Sequence, residues 1–243
     1  MLADDLRGMF YIGLKDLRAY YFKPPNISWG ILFPFAFIFA FALRNPSDLR
    51  ALVPGLVALT LLFGTSSMEA IVIVFERRIG ALERLLLAPI RLPALLAGKL
   101  LGGMAFGLTI TLIVLIIALA IFGVTNVNWI LLALAIVFAA AAFSALGAFV
   151  SVAVTEVFEA QTLANFIRFP MMFLGGVFVP VDSMPLVLQV IARALPLTYA
   201  VEALRVALLG GGRMDAVLDL LALAGFAIIL FALAARVMQR WVE

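Results

Sequence analysis

Apolar stretches of about 17 residues or more recur along this chain, and no soluble fold of 243 residues could bury them all. Six such stretches cover residues 27–43, 51–75, 100–123, 129–154, 162–181 and 217–236. At about 1.5 Å of rise per residue, each crosses or nearly crosses a hydrocarbon core of about 30 Å. The first holds phenylalanines at 33, 35, 37, 39 and 41, a period of two that fits a strand as well as a helix. An open strand leaves its backbone polar groups unpaired in lipid, so helix is the expected state. Phe33, Phe37 and Phe41 then share one face, and Phe35 and Phe39 another. The fold class expected is an all-α integral membrane protein with six transmembrane helices.

Composition supports that class: 66% of residues are hydrophobic and 13% charged, against about 25% charged in soluble domains. The chain contains no cysteine, which removes disulfides and thiolate metal sites, and no histidine, the commonest metal ligand and general base. No catalytic residue, metal site, cofactor or nucleic-acid partner is expected. The net charge of +3 matters less than its distribution. Twelve of the 17 Lys and Arg residues fall on segments that a cytoplasmic amino terminus places inside, and five outside. The positive-inside rule therefore puts both termini in the cytoplasm. No cleavable signal peptide is expected, because charges interrupt the first 26 residues throughout.

Residues 1–26 read as an amphipathic interfacial helix ahead of a six-span domain over 27–243. Leu2, Leu6, Met9, Phe10, Gly13, Leu14 and Leu17 fall on one side at helical spacing, with Asp4, Asp5, Lys15 and Asp16 largely opposite. Pro24-Pro25 ends the helix. Residues 76–99 form a loop with a short charged helix. Residues 182–216 are too apolar for a free loop and read as short helices cut by Pro185 and Pro196, re-entering the outer leaflet.

The loop reads Glu76-Arg77-Arg78-Ile79-Gly80-Ala81-Leu82-Glu83-Arg84-Leu85-Leu86, then Pro89, and Gly98-Lys99 opens the next span. A second cluster comprises Phe173-Leu-Gly-Gly-Val-Phe-Val-Pro180, Pro196-Leu-Thr-Tyr199 and Glu202-Ala-Leu-Arg205. In these two motifs, and in their placement along six spans, the sequence resembles the ABC-2 type transporter permeases, over essentially its whole length. The loop looks most like the drug- and antibiotic-resistance branch. The resemblance implies an exporter in which two permease chains, identical or different, pair with two cytoplasmic ABC ATPase subunits. ATP and Mg belong to those subunits; no phosphate-binding Gly-x-x-x-x-Gly-Lys-[Ser/Thr] loop occurs here. It also implies a multi-pass protein of a prokaryotic plasma (inner) membrane.

In that family the loop after the second span is a coupling helix that docks on the ATPase. Glu76, Arg77, Arg78, Gly80, Glu83 and Arg84 are the expected coupling residues, offering charge-assisted hydrogen bonds, with Leu82, Leu85 and Leu86 packed beneath. By charge alone, the arginines serve topology equally well. The family dimerises largely through its first and fifth spans, which makes Phe33, Phe37, Phe41, Asn165, Phe169, Met172 and Phe173 the expected pathway or dimer seam. An aromatic and Met-rich lining suits a small amphipathic cargo. A polysaccharide or glycolipid cargo is the alternative, disfavoured by only three Trp and four Tyr. Less favoured still is a stand-alone secondary transporter, for which Glu69 is the one intramembrane carboxylate in view. Glu69 is otherwise read as part of the transport path, a partner for another helix, or a carboxylate bonded to Ser or Thr.

Overall fold

The computed structural model describes residues 2–44, 49–211 and 215–241, with some side chains near the amino terminus and along the first long apolar helix outside the description. The described residues are helical apart from short connections. Helix α1 (Leu2–Asp16) runs into a π-helical turn, Leu17–Tyr21. Then follow α2 (Pro24–Arg44), α3 (Val53–Arg78), α4 (Ala81–Leu86), α5 (Leu92–Phe122), α6 (Trp129–Ala153) and α7 (Val157–Leu174). The last three are α8 (Leu186–Arg193), α9 (Pro196–Leu209) and α10 (Ala216–Gln239). The period-two phenylalanines lie on α2, as the backbone argument requires.

Among the described residues, four helices are long and apolar enough to cross a membrane: α3 with its leading turn from Arg50, α5, α6 and α10. The pair α8–α9, bent by 88°, makes a fifth if it counts as one broken span. Helices α2 and α7 occupy the positions of the first and fifth expected spans. α7 is shorter and more polar than expected, because Glu159, Gln161, Asn165 and Arg168 lie along it and Gly175-Gly176 follows its end. Pro34 interrupts the hydrogen bonding of α2 and Pro170 that of α7. The expected breaks at Pro185 and Pro196 coincide with the starts of α8 and α9.

Helix α3 is the axis of the bundle: 78% of its most apolar window is buried, against 11% for α10. It packs on α5, α6, α7, α9 and α2. Small residues set these distances. A Cβ on Gly107 of α5 would fall 2.9 Å from the Thr65 backbone nitrogen of α3, and one on Gly147 of α6 would fall 2.8 Å from the Ser66 carbonyl oxygen. With no hydrophobic drive between helices in lipid, such close approach supplies the packing attraction. Exposed Ile113, Ile116 and Ile121 on α5 and Leu221, Ile228 and Ile229 on α10 form apolar outer faces.

Candidate functional site

A cavity of 470 Å³ opens between α2, α3, α5 and α7. Its aromatic wall is Phe33 from α2, Phe63 from α3 and Phe169 from α7. The Phe33 and Phe63 rings lie 4.4 Å apart by centroid, and Phe169 is 6.3 and 6.4 Å from them. The polar wall carries Ser67 from α3 and Gln161, Asn165 and Arg168 from α7. Gln161, Asn165 and Arg168 follow the i, i+4, i+7 spacing that puts residues on one helix face. Arg168 is 1% exposed, about three turns into its helix. Its Nη1 donates to the Ser67 hydroxyl, Nη2 to Asn165 Oδ1 at 3.1 Å and Nε to the Ala164 carbonyl at 3.1 Å. The guanidinium also sits 5.2 Å from the Phe63 ring centroid.

Of the expected pathway residues, the structure brings Phe33, Asn165 and Phe169 together here. Met172 is buried in the core, and Phe173 is half exposed beside Phe178, 5.9 Å between ring centroids. The side chains of Phe37 and Phe41 lie outside the described residues. Phe63, Ser67 and Arg168 were missing from the expectation. Arg168 had been counted as a charge marking the inner side, although its spacing from Asn165 and Gln161 already signalled a polar face.

Beneath the cavity, four charges are drawn together from three helices. Lys99 of α5 is fully buried; its Nζ donates to Glu76 Oε2 of α3 and lies 3.3 Å from Asp16 Oδ2 of α1. Lys15 donates to Glu76 Oε1 and lies 2.9 Å from Asp16 Oδ1. Two cations meet two anions, which is the condition under which buried charges are tolerated. Burial nonetheless pushes the Asp16 carboxyl above its ordinary value, with Lys99 opposing. Glu76 is thus an interior residue tying α3 to α1 and α5, whereas the sequence placed it among charges offered to a partner.

Glu69 is fully buried one level above. The hydroxyl of Tyr21, from the π-helical turn, donates to its Oε2, so its partner is a tyrosine rather than a Ser or Thr. Gly103 and Gly147 make the room: a Cβ on either would come within 2.9 Å of the Glu69 side chain.

The charged loop hangs from this network. Gly80 takes a φ of 69°, a left-handed turn that side chains resist, and so reverses the chain between α3 and α4. α4 buries Leu82, half-buries Leu85 and Leu86, and leaves Glu83 and Arg84 exposed. Arg77 stacks 4.0 Å from the Trp241 ring centroid, and exposed Arg78 pairs with Glu156 at 3.1 Å. α1 crosses the loop: Asp5 accepts from the Arg91 backbone nitrogen at 3.2 Å and from Arg91 Nε at 2.6 Å. The backbone bond from Arg91, then the side-chain bond, holds the Asp5 carboxyl below its ordinary value. Gly98 lets α1 lie against α5, since a Cβ there would fall 2.9 Å from the Met9 carbonyl oxygen. The Gly98-Lys99 pair therefore seats α1 twice, by clearance and by charge.

The face of α1 is turned opposite to a soluble amphipathic helix. Asp16 and Ile12 are buried against the protein, whereas Leu6 and Phe10 are 58% and 64% exposed. In the second motif, Arg205 pairs with Glu202 at 2.5 Å and donates to the Gly176 carbonyl at 3.1 Å, fastening α9 to the segment after α7.

Comparison with known proteins places the chain among membrane transport proteins. The inner membrane transport permease YadH of Escherichia coli K12 is 28% identical over 167 residues, 68% of this chain and 64% of that protein. The chain thus spans less than two thirds of the length of the curated relatives it matches, and the Shigella flexneri YadH match is the same in extent. Nodulation protein J of Rhizobium leguminosarum bv. trifolii is 35% identical over 71 residues, 29% of this chain and 27% of that protein. Residues 9–209, from the middle of α1 to the end of α9, match the ABC-2 type transporter family, and the chain belongs to that family.

Proposed function

We propose that this chain is the permease subunit of an ATP-driven exporter that moves a small amphipathic or hydrophobic compound, drug- or lipid-like, out of the cytoplasm. In this reading α2, α3, α5, α6, α7 and α10 are the six spans of an inner-membrane protein, and α8–α9 re-enter from the outer side. The polar residues of α7 are tolerable within a span because Arg168 and Asn165 satisfy one another and line a cavity. Two permease chains, identical or different, pair, and two cytoplasmic ATPase subunits supply ATP and Mg. The observation that carries the proposal is the α3–Gly80–α4 turn. It presents Arg78, Glu83 and Arg84 to solvent while its root is buried in the Lys15–Asp16–Glu76–Lys99 cluster. Charges anchored in this way transmit force from a docked partner.

The phenylalanine-rich cavity favours an amphipathic cargo over a polysaccharide or glycolipid, which is gripped by Trp and Tyr platforms. Assignment to the drug-resistance branch rests on the loop motif. The test is Glu83→Arg in cells producing the tagged chain. Loss of a co-purifying ATPase, with normal membrane insertion and unchanged thermal stability in detergent, is the expected result. Unaltered ATPase capture and transport would remove α4 as the docking element.

A further inference from the structure

We infer that the cavity recognises an anionic head on an apolar body, with Arg168 as the positioning residue that gives it that charge preference. The proposal rests on the transport reading above and narrows its cargo class. Among the described residues, no acidic side chain lines the cavity. Arg168 is buried, yet its described hydrogen-bond partners are all neutral: a hydroxyl, an amide oxygen and a backbone carbonyl. Buried guanidinium groups in membrane proteins are matched by carboxylates or by backbone carbonyls, and only a carboxylate neutralises the charge. Among the described residues no carboxylate bonds to this positive charge at the cavity wall, where a dielectric below that of water strengthens its field.

The geometry passes that charge into the cavity through intermediaries. The Ser67 hydroxyl oxygen accepts from Arg168 and so turns its own proton away from it. Asn165 accepts at Oδ1, which leaves its amide N–H groups free to donate. Both residues line the cavity. A carboxylate, phosphate or sulfonate oxygen in the cavity meets two donors, each polarised by the guanidinium behind it. Beside them, Phe33, Phe63 and Phe169 form the apolar wall for the body of the same molecule. A cation in that position meets Arg168 repulsion, and a neutral isostere forfeits the charge-assisted bonds.

The experiment uses the full chain in phosphatidylcholine nanodiscs, read by the fluorescence of dansyl-aminoundecanoic acid and of its methyl ester, against empty discs. The wild type is expected to hold the acid about tenfold more tightly than the ester. Arg168→Gln brings that ratio to about one, and Arg168→Lys, which keeps the charge but loses the planar fork, keeps a ratio above one. Phe169→Ala weakens acid and ester together. Equal binding of the two probes by the wild type overturns the proposal, as does a folded Arg168→Gln variant that keeps the acid preference. Should Arg168→Gln not fold, the wild-type ratio and the Arg168→Lys ratio decide alone. Phosphatidylglycerol added to the discs identifies the source of the anion: displacement of the acid assigns a membrane lipid head, and its retention a free amphiphile. A co-purifying ATPase without acid preference removes this subsite alone; acid preference without an ATPase leaves the subsite and removes the ATP-driven reading.

Discussion

Lys99 has its ammonium group enclosed by the carboxylates of Glu76 and Asp16, with Lys15 completing the neutral set. Replacing it with Met leaves two buried carboxylates facing one remaining cation. Removing one member of a buried ion pair typically costs about 3 kcal/mol or more, because the survivor stays desolvated. Lys99→Met should therefore lower the thermal midpoint in detergent substantially. Lys99→Met combined with Glu76→Gln, which restores neutrality, should recover most of the loss. A single variant as stable as the wild type would mean that water already reaches the cluster. The motif made Glu76 and Lys99 visible in the sequence, but not their contact with each other. Lys15 and Asp16 come from a helix whose charged side a soluble-protein rule assigns to solvent. In a lipid setting the charged side turns inward to partners that lie 61 and 83 residues away in the chain.

At the scale of elements, α1 is strapped to the start of α5 by Asp5 and Arg91. The Asp5 carboxyl ionises below the ordinary aspartate value, so the strap stabilises the fold above that ordinary value and is lost as pH falls through the lower folded one. Asp5→Asn should reduce the thermal midpoint at pH 6. The difference from the wild type should vanish in acid, below the folded value. A difference that persists there would show that the asparagine perturbs packing instead of removing a charge. Breaks between elements were the most legible part of the fold. Pro185 and Pro196 act through their own backbone geometry, so each marks its break wherever it stands, whereas the left-handed turn at Gly80 emerged only in the structure. The extent of α7 was less legible, because its polar face looks like an ending until Ser67 of α3, 101 residues away, is seen to meet it.

At the scale of the molecule, two outer surfaces are apolar but differ in company. On α7, Phe166 is 77% exposed on the helix that also lines the cavity; on α10, Ile228 is 69% exposed on a helix remote from it. If two permeases meet through their first and fifth spans, a short bismaleimide should join Phe166→Cys copies across the pair and leave Ile228→Cys copies single. The chain's lack of cysteine makes each substitution the sole reactive thiol. Crosslinking of the α10 variant alone would place the seam on the opposite side. The overall class was plain from apolar run length, since lipid leaves the backbone little choice but helix. The cavity was only half legible: its phenylalanines announced themselves, whereas its cation passed for a topological marker.

The two prolines beside the cavity give the molecule unequal stiffness. α3, α5 and α6 are welded backbone to backbone at Gly107 and Gly147, and the charge cluster pins α3 and α5 below. α2 and α7 each lack a hydrogen-bond donor, at Pro34 and Pro170, close to the rings of Phe33 and Phe169. If α4 is the docking element proposed above, a push delivered there meets a rigid block on one side of the chamber and two jointed staves on the other. Most of the strain should then collect at those joints, so the volume that changes between conformations would be the proposed cargo chamber itself.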